Sequence, residues 1–298
     1  MHGPAGDPGP LPVRRPRVHG RADEIGNVVD AVDTAARGLV TVTGPGGAGK
    51  TTIALEVLHR LAVQFGRRWF VDLTTAVNGA DVPARVCHTL GLRPGEVDAE
   101  EVLVTELVRA PSLVVLDGCE HLLDEVAALV GELTARCPEL TVVATSRRPL
   151  AVPGELTVPL GPLPLDEDDG PGPAVRLLVE RARDAGAVVR TDDDGHAAAL
   201  RTICARLDGL PLAIVLAASQ LRTVSAPDLA DRLAADLTLP AMRGGTRHQR
   251  TLTASLDRSV LLLSPGAADL YRRAGALVGA STRTRARPCA CPAPTPTS

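Results

Sequence analysis

Apolar positions Ile25, Val28, Val29, Val32, Ala35 and Ala36 recur at helical spacing between Asp23 and Arg37, which predicts an amphipathic helix. Leu39-Val40-Thr41-Val42-Thr43 follows as a β-branched run and predicts a buried strand. Gly44-Pro45-Gly46-Gly47-Ala48-Gly49 breaks that run, and an amphipathic helical pattern resumes from Lys50 to Ala62. Three more strand-like runs follow, with helices between them. Trp69 to Leu73 is the first; Leu113 to Leu116 ends at Asp117; Leu140 to Ala144 ends at Thr145-Ser146-Arg147. Continuous apolar strands alternating with helices predict an α/β fold, a parallel sheet covered by helices on both faces.

After Pro149 the pattern changes. Val152 to Pro173 is rich in Pro, Gly and Asp and predicts a short strand and then a linker. Helical patterns then occupy Ala174 to Ala187, His196 to Leu207, Pro211 to Arg222 and Pro227 to Ala235. Pro211 stands behind Gly209 at a first helical turn, where its missing N–H costs least, and Ser225 and Asp192 to Asp194 are candidate N-caps. Two further helical stretches, Arg250 to Leu263 and Ser264 to Leu277, follow. The pattern divides the chain into a disordered leader (1–17), a nucleotide-sized α/β domain (18–162), a small all-helical domain (171–240), a short helical piece (247–280) and a disordered tail (281–298).

Composition narrows the function classes. Aromatics are 1% of the 298 residues, so the core is aliphatic and base-stacking platforms are disfavoured. The net charge of -3 gives no overall attraction to nucleic acid, although Arg14 to Arg17 and Arg283 to Arg287 are local basic runs that read as solvated tails. The six cysteines lack C-x-x-C spacing, which argues against zinc. The N-terminus lacks the apolar core of a signal peptide, and the apolar stretch around Leu210 to Ala218 is too short to span a bilayer. A reducing cytoplasm is expected. Basic charge is almost entirely Arg: Lys50 is the single lysine.

That lysine falls in Gly44-Pro45-Gly46-Gly47-Ala48-Gly49-Lys50-Thr51, which satisfies G-x-x-x-x-G-K-[ST] between a strand and a helix. The glycines let backbone N–H groups converge on phosphates, and the helix presents its positive end to the same anion. Gly44, Gly46, Gly47, Ala48, Gly49, Lys50, Thr51 and Thr52 are the candidate phosphate-binding residues. Lys50 is expected to bridge the β- and γ-oxygens, and the Thr51 hydroxyl to ligate Mg²⁺. Asp117, closing an apolar strand, is the candidate second metal-organising acid, acting through a water. Glu120 either orients an attacking water or serves as a first-turn acid of a helix over Leu122 to Leu133, which the helix dipole favours. Arg147, with Arg148 as competitor, is the candidate sensor of the γ-phosphate. No guanine-reading N-K-x-D is present near the sheet, so ATP or ADP with Mg²⁺ is the expected ligand.

These motifs together resemble the signal-transducing ATPases with numerous domains, the STAND class that includes NB-ARC proteins. The likeness is strongest to the ATPase module of bacterial LuxR-type and antibiotic-regulatory-protein-type transcriptional regulators. It runs over roughly Val18 to Ala280 and rests on Val18-His19-Gly20-Arg21 with Asp23-Glu24, the phosphate loop, Phe70 to Leu73, Val115 to Leu123, Ala144 to Arg147 and Leu207 to Ala213. The resemblance implies that Val18, Gly20 and Arg21 lie against adenine and ribose, that Pro211 packs on the base, and that the helical domain is a lid. It further implies that 247–280 opens a winged-helix domain, that ADP holds the protein closed, that ATP exchange permits self-association, and that slow hydrolysis resets the switch.

Two features depart from the family. Gly118 stands where Asn usually follows the strand-end Asp, and the winged-helix likeness stops near Ala280. Ser281 to Ser298 reads like GC-rich coding sequence translated out of frame, so a C-terminally truncated regulator is expected. A metabolic phosphotransferase lacks a visible acceptor site. An initiator-like DNA-binding ATPase is opposed by the acidic balance and the incomplete winged helix, so direct DNA binding by this chain alone is not expected. A remnant that only binds nucleotide is the remaining alternative.

Overall fold

Five segments pair in parallel as β1 (Leu39–Thr43), β2 (Arg67–Asp72), β3 (Ser112–Asp117), β4 (Leu140–Ser146) and β5 (Leu156–Pro159), in the order β2-β3-β4-β1-β5. The computed structural model describes residues 18–34, 38–167, 170–191 and 193–235. The stretches expected to be a leader (1–17), a partial winged helix (247–280) and a tail (281–298) lie outside the described residues.

All residues of β1, β3 and β4 are buried, as expected of central strands sandwiched between helices. Their alternation feeds two cores. Val40, Val42, Leu113, Val115 and Val143 pack with helices α1 (Ala22–Thr34) and α2 (Lys50–Arg60). Leu39, Val114, Leu116, Val142 and Ala144 face α3 (Val82–Thr89), α4 (Ala99–Leu107) and α5 (Leu123–Arg136) on the opposite side. The α/β/α layering expected from the sequence is therefore present.

Edge strand β2 begins two residues before the apolar run, because Arg67 pairs with Glu106 of α4 and its guanidinium lies 5.2 Å over the Trp69 ring. At the other edge β5, the short strand of the Pro- and Gly-rich segment, pairs Val40 with Leu156 and Thr43 with Pro159. Among the described residues four helices follow: α6 (Pro173–Asp184), α7 (Asp194–Arg206), α8 (Pro211–Ala218) and α9 (Ala226–Ala235). They share a third core that includes Leu163, Leu178, Ile203, Ile214 and Leu229. Asp193 caps α7 by accepting from the Gly195 N–H, and the Ser225 hydroxyl accepts from the Asp228 N–H ahead of α9.

The expected helix from Pro211 to Arg222 is α8 plus a 3₁₀ turn over Ser219–Arg222. The Ser219 hydroxyl donates back to Leu216 O at 2.7 Å, a side-chain competitor for the helical carbonyl that accompanies the tightening.

Candidate nucleotide-binding site

The loop between β1 and α2 sits at the C-terminal edge of the sheet, where parallel α/β folds place ligands. Gly49 has φ +98 and is the N-cap of α2, a conformation that L side chains rarely adopt, and a Cβ there would point into open space. The loop thus presents bare backbone at Gly49, while Gly47 lies against the Leu212 side chain. Gly46 lies in the turn, the Ala48 N–H donates to Pro45 O at 3.3 Å, and Gly44 lies close against Leu160 O.

Lys50 is 9% exposed and donates to Gly44 O at 2.9 Å and Pro45 O at 3.0 Å. Burial pushes its ammonium below the usual lysine range; Glu120 and Asp117 oppose the shift and Arg147 adds to it. A polyanion arriving at this loop would meet a cation whose hydrogen bonds, among the described residues, go to two carbonyls. Thr52 follows Thr51 in the first turn of α2, partly buried.

Thr51 and Asp117, 66 residues apart in the chain, are joined directly. The Thr51 hydroxyl is 2.8 Å from Asp117 Oδ1 and 3.0 Å from Oδ2. Asp117 is 4% exposed, and burial holds its carboxyl above the usual carboxylate range while hydrogen bonds from Thr145 and Thr51 oppose that shift. An oxygen-rich pair of this kind, at the end of a glycine loop, suits a hard divalent cation.

Glu120 lies in a 3₁₀ turn over Cys119–His121, ahead of α5, whose first-turn acids are Asp124 and Glu125. Its Oε1 is 3.5 Å from Arg147 Nε, with both side chains largely buried. Arg148 is exposed, so of the two arginines it is Arg147 that turns toward the site. His121 faces elsewhere and lies 2.9 Å from Ala76 O through Nε2.

Of the remaining candidates, Arg21 bonds the loop directly and Pro211 stands next to a residue that does, whereas Val18 and Gly20 make their contacts elsewhere. Val18 packs on the core beneath α2. Gly20 abuts Pro173 at the start of α6, and Arg21, 5% exposed, donates to Gly161 O at 2.6 Å and Ala48 O at 3.4 Å. Pro211 is at the first position of α8, and the neighbouring Leu212 N–H donates to Gly47 O at 3.2 Å. Helix α8 therefore begins directly on the phosphate loop. The sequence alone gave no role to Leu212, Gly161 or Thr145, because strand order and helix docking decide their contacts.

The family model described as the NB-ARC domain matches residues 21–149, the span that carries the loop, Asp117, Glu120 and Arg147. Residues 21–149 are an NB-ARC domain. Among relatives, the Mycobacterium tuberculosis protein Rv0890c, whose name describes an HTH-type transcriptional regulator, is 39% identical over 245 residues. That match covers 81% of this chain and 27% of Rv0890c. The uncharacterized protein Rv0894 of the same organism is 39% identical over 242 residues, covering 79% of this chain and 60% of the other. The chain thus spans about a quarter of the first relative's length.

Among solved structures, a signal transduction ATPase with numerous domains (STAND) protein with a tetratricopeptide repeat sensor, PH0952 from Pyrococcus horikoshii, is similar. It has a TM-score of 0.50 and 18% identity, covering 76% of this chain and 34% of that one. This likeness concerns the fold.

The geometry accounts for one departure from the NB-ARC pattern. Gly118 has φ +81, and a Cβ there would lie 2.5 Å from Thr74 Cγ2. Asn tolerates such a backbone, but its Cβ would meet the threonine methyl. Gly118→Asn is expected to lower stability by about 1–2 kcal/mol. Adding Thr74→Ser, which deletes the methyl, should recover most of the loss. Urea unfolding of the single and double variants measures both; equal losses would remove the steric explanation.

Proposed function

We propose that this chain is an ATP/ADP-dependent regulatory switch of the STAND type, working within or derived from a transcriptional regulator. The observation that carries the reading is the Thr51–Asp117 bond, which unites the phosphate loop with the strand-end acid. In this reading Gly44, Gly46, Gly47, Ala48 and Gly49 supply loop backbone to the phosphates, Lys50 leaves its carbonyls for phosphate oxygens, and Thr51 and Asp117 hold Mg²⁺. The cation's contribution is to neutralise charge on the β- and γ-oxygens. Val18, Gly20, Arg21 and Pro211 form the base and ribose side, with helices α6 to α9 as a lid. Arg147 exchanges Glu120 for the γ-phosphate, which releases Glu120 to orient water, and hydrolysis is slow. ATP-bound chains self-associate. The regulator-named relative and the NB-ARC match support the biological setting.

Equilibrium binding of ATP, ADP and GTP to the purified chain, with and without Mg²⁺, tests the reading. Adenine nucleotides should bind at micromolar concentration or tighter, more tightly with Mg²⁺, and GTP more weakly. A folded chain that binds none of them refutes it.

A further inference from the structure

Strand β4 lies between β1, which delivers the phosphate loop, and β3, which delivers Asp117. Its penultimate residue, Thr145, is 1% exposed and pairs in register with Val42. The Thr145 hydroxyl lies 2.6 Å from Asp117 Oδ1 and 2.9 Å from the Gly118 N–H. A hydroxyl carries one proton. The Gly118 N–H is the donor in its own bond, so the Thr145 proton goes to Asp117 and the rotor is fixed from both sides.

The two carboxylate oxygens are consequently unequal. Among the described residues, Oδ1 receives Thr145 at 2.6 Å and lies 2.8 Å from the Thr51 hydroxyl, whereas Oδ2 has Thr51 alone at 3.0 Å. The Thr51 hydroxyl is also the group that the proposed function assigns to the cation. Thr145 is the donor on this carboxylate for which the cation does not compete. The same hydroxyl grips Gly118, two residues before Glu120, and Thr145 itself stands two residues before Arg147.

We propose that Thr145 is the positioning residue of the metal side of this site: it locks the Asp117 carboxylate beside Thr51, the pair that would hold Mg²⁺, and it ties that orientation to the Glu120 turn and the Arg147 strand end. The inference rests on the proposed nucleotide and Mg²⁺ site. It concerns a residue that touches neither phosphate nor metal, and a hydroxyl that acts only through Asp117 and Gly118.

The test is Mg²⁺ titration of ATP binding to the full chain, read as the Mg²⁺ concentration giving half of the affinity enhancement. Thr145→Val keeps the shape of the side chain and removes the hydroxyl. It should raise that concentration about tenfold or more, in the range found when partners of metal ligands are removed. ATP affinity in EDTA should stay within about twofold of wild type, and Thr145→Ser should restore the wild-type titration. Burying an unpaired Gly118 N–H will also cost stability, so a lower melting point by itself decides nothing. If Thr145→Val fails to melt cooperatively, Thr145→Cys, with a weak donor of similar size, replaces it in the titration.

An unchanged Mg²⁺ midpoint in the folded variant overturns the inference, and so does an equal loss of affinity with and without Mg²⁺. Wild-type protein that binds no nucleotide overturns the proposed function, and the inference with it. Wild-type binding that Mg²⁺ enhances, together with a shifted Thr145→Val midpoint, supports both.

Discussion

Lys50→Ala is expected to weaken Mg²⁺-dependent ATP binding by about a hundredfold or more while the chain remains folded. A hydrogen bond to a charged partner contributes roughly 1.5–3 kcal/mol, and the ammonium is positioned to make two of them to phosphate oxygens. Two such bonds correspond to roughly a hundredfold or more in affinity. The fold should survive because the lysine is poorly accommodated without an anion. Burial depresses its pKa, and its hydrogen bonds among the described residues go to Gly44 O and Pro45 O, whose residues are not fully buried and which water can satisfy.

The chain offers an independent check, since Lys50 is its single lysine. Amine-directed acetylation can modify only this side chain and the N-terminus, and ATP should protect the former. Wild-type affinity in Lys50→Ala, by titration calorimetry, would show that the loop does not read phosphate.

Much of this site was legible because its chemistry is local in sequence. The glycines, the lysine and the hydroxyl of the loop are contiguous, and the strand before them and helix after them follow from a change in apolar period. Asp117 was legible as a carboxylate ending an apolar run. What local pattern does not carry is strand order. Nothing in Leu140 to Ser146 says that β4 lies between β1 and β3, and without that neighbour relation Thr145 is an ordinary strand-end threonine.

The contact between Leu212 and Gly47 was hidden for a similar reason, because it depends on how a helix some 160 residues later docks on the loop. Helices α3 and α4 were expected only as unspecified crossovers between β2 and β3. The choice between Arg147 and Arg148 also needed coordinates: adjacent residues leaving a strand point in different directions, and only Arg147 meets Glu120.

Asp117→Asn should abolish most of the Mg²⁺ enhancement of nucleotide binding and, in the empty protein at neutral pH, raise stability. The first effect follows from losing the anionic partner of a hard cation. The second follows from burial. Asp117 is 4% exposed, and its carboxyl is held above the usual range because the charged form is desolvated, with Asp72 and Glu120 adding repulsion. The asparagine oxygen can still accept from Thr145, and its NH₂ can donate to the Thr51 hydroxyl, so the neutral side chain keeps the local bonds. The neutral side chain avoids the desolvation cost of the buried charge, so a gain in stability is expected.

The sign of the pH dependence follows from proton binding. A raised folded-state pKa means that the folded chain holds the proton more tightly than the unfolded chain. Wild-type stability from this group therefore falls as pH rises from the ordinary aspartate value through the raised one, and the full cost persists above it. The gap between Asp117→Asn and wild type should be widest near neutrality and close as pH falls. Chemical unfolding of both proteins in EDTA across that range measures it. A variant less stable than wild type at neutral pH would mean that the buried carboxylate holds the empty site together, and that the site was not folded at the expense of stability for the sake of a cation.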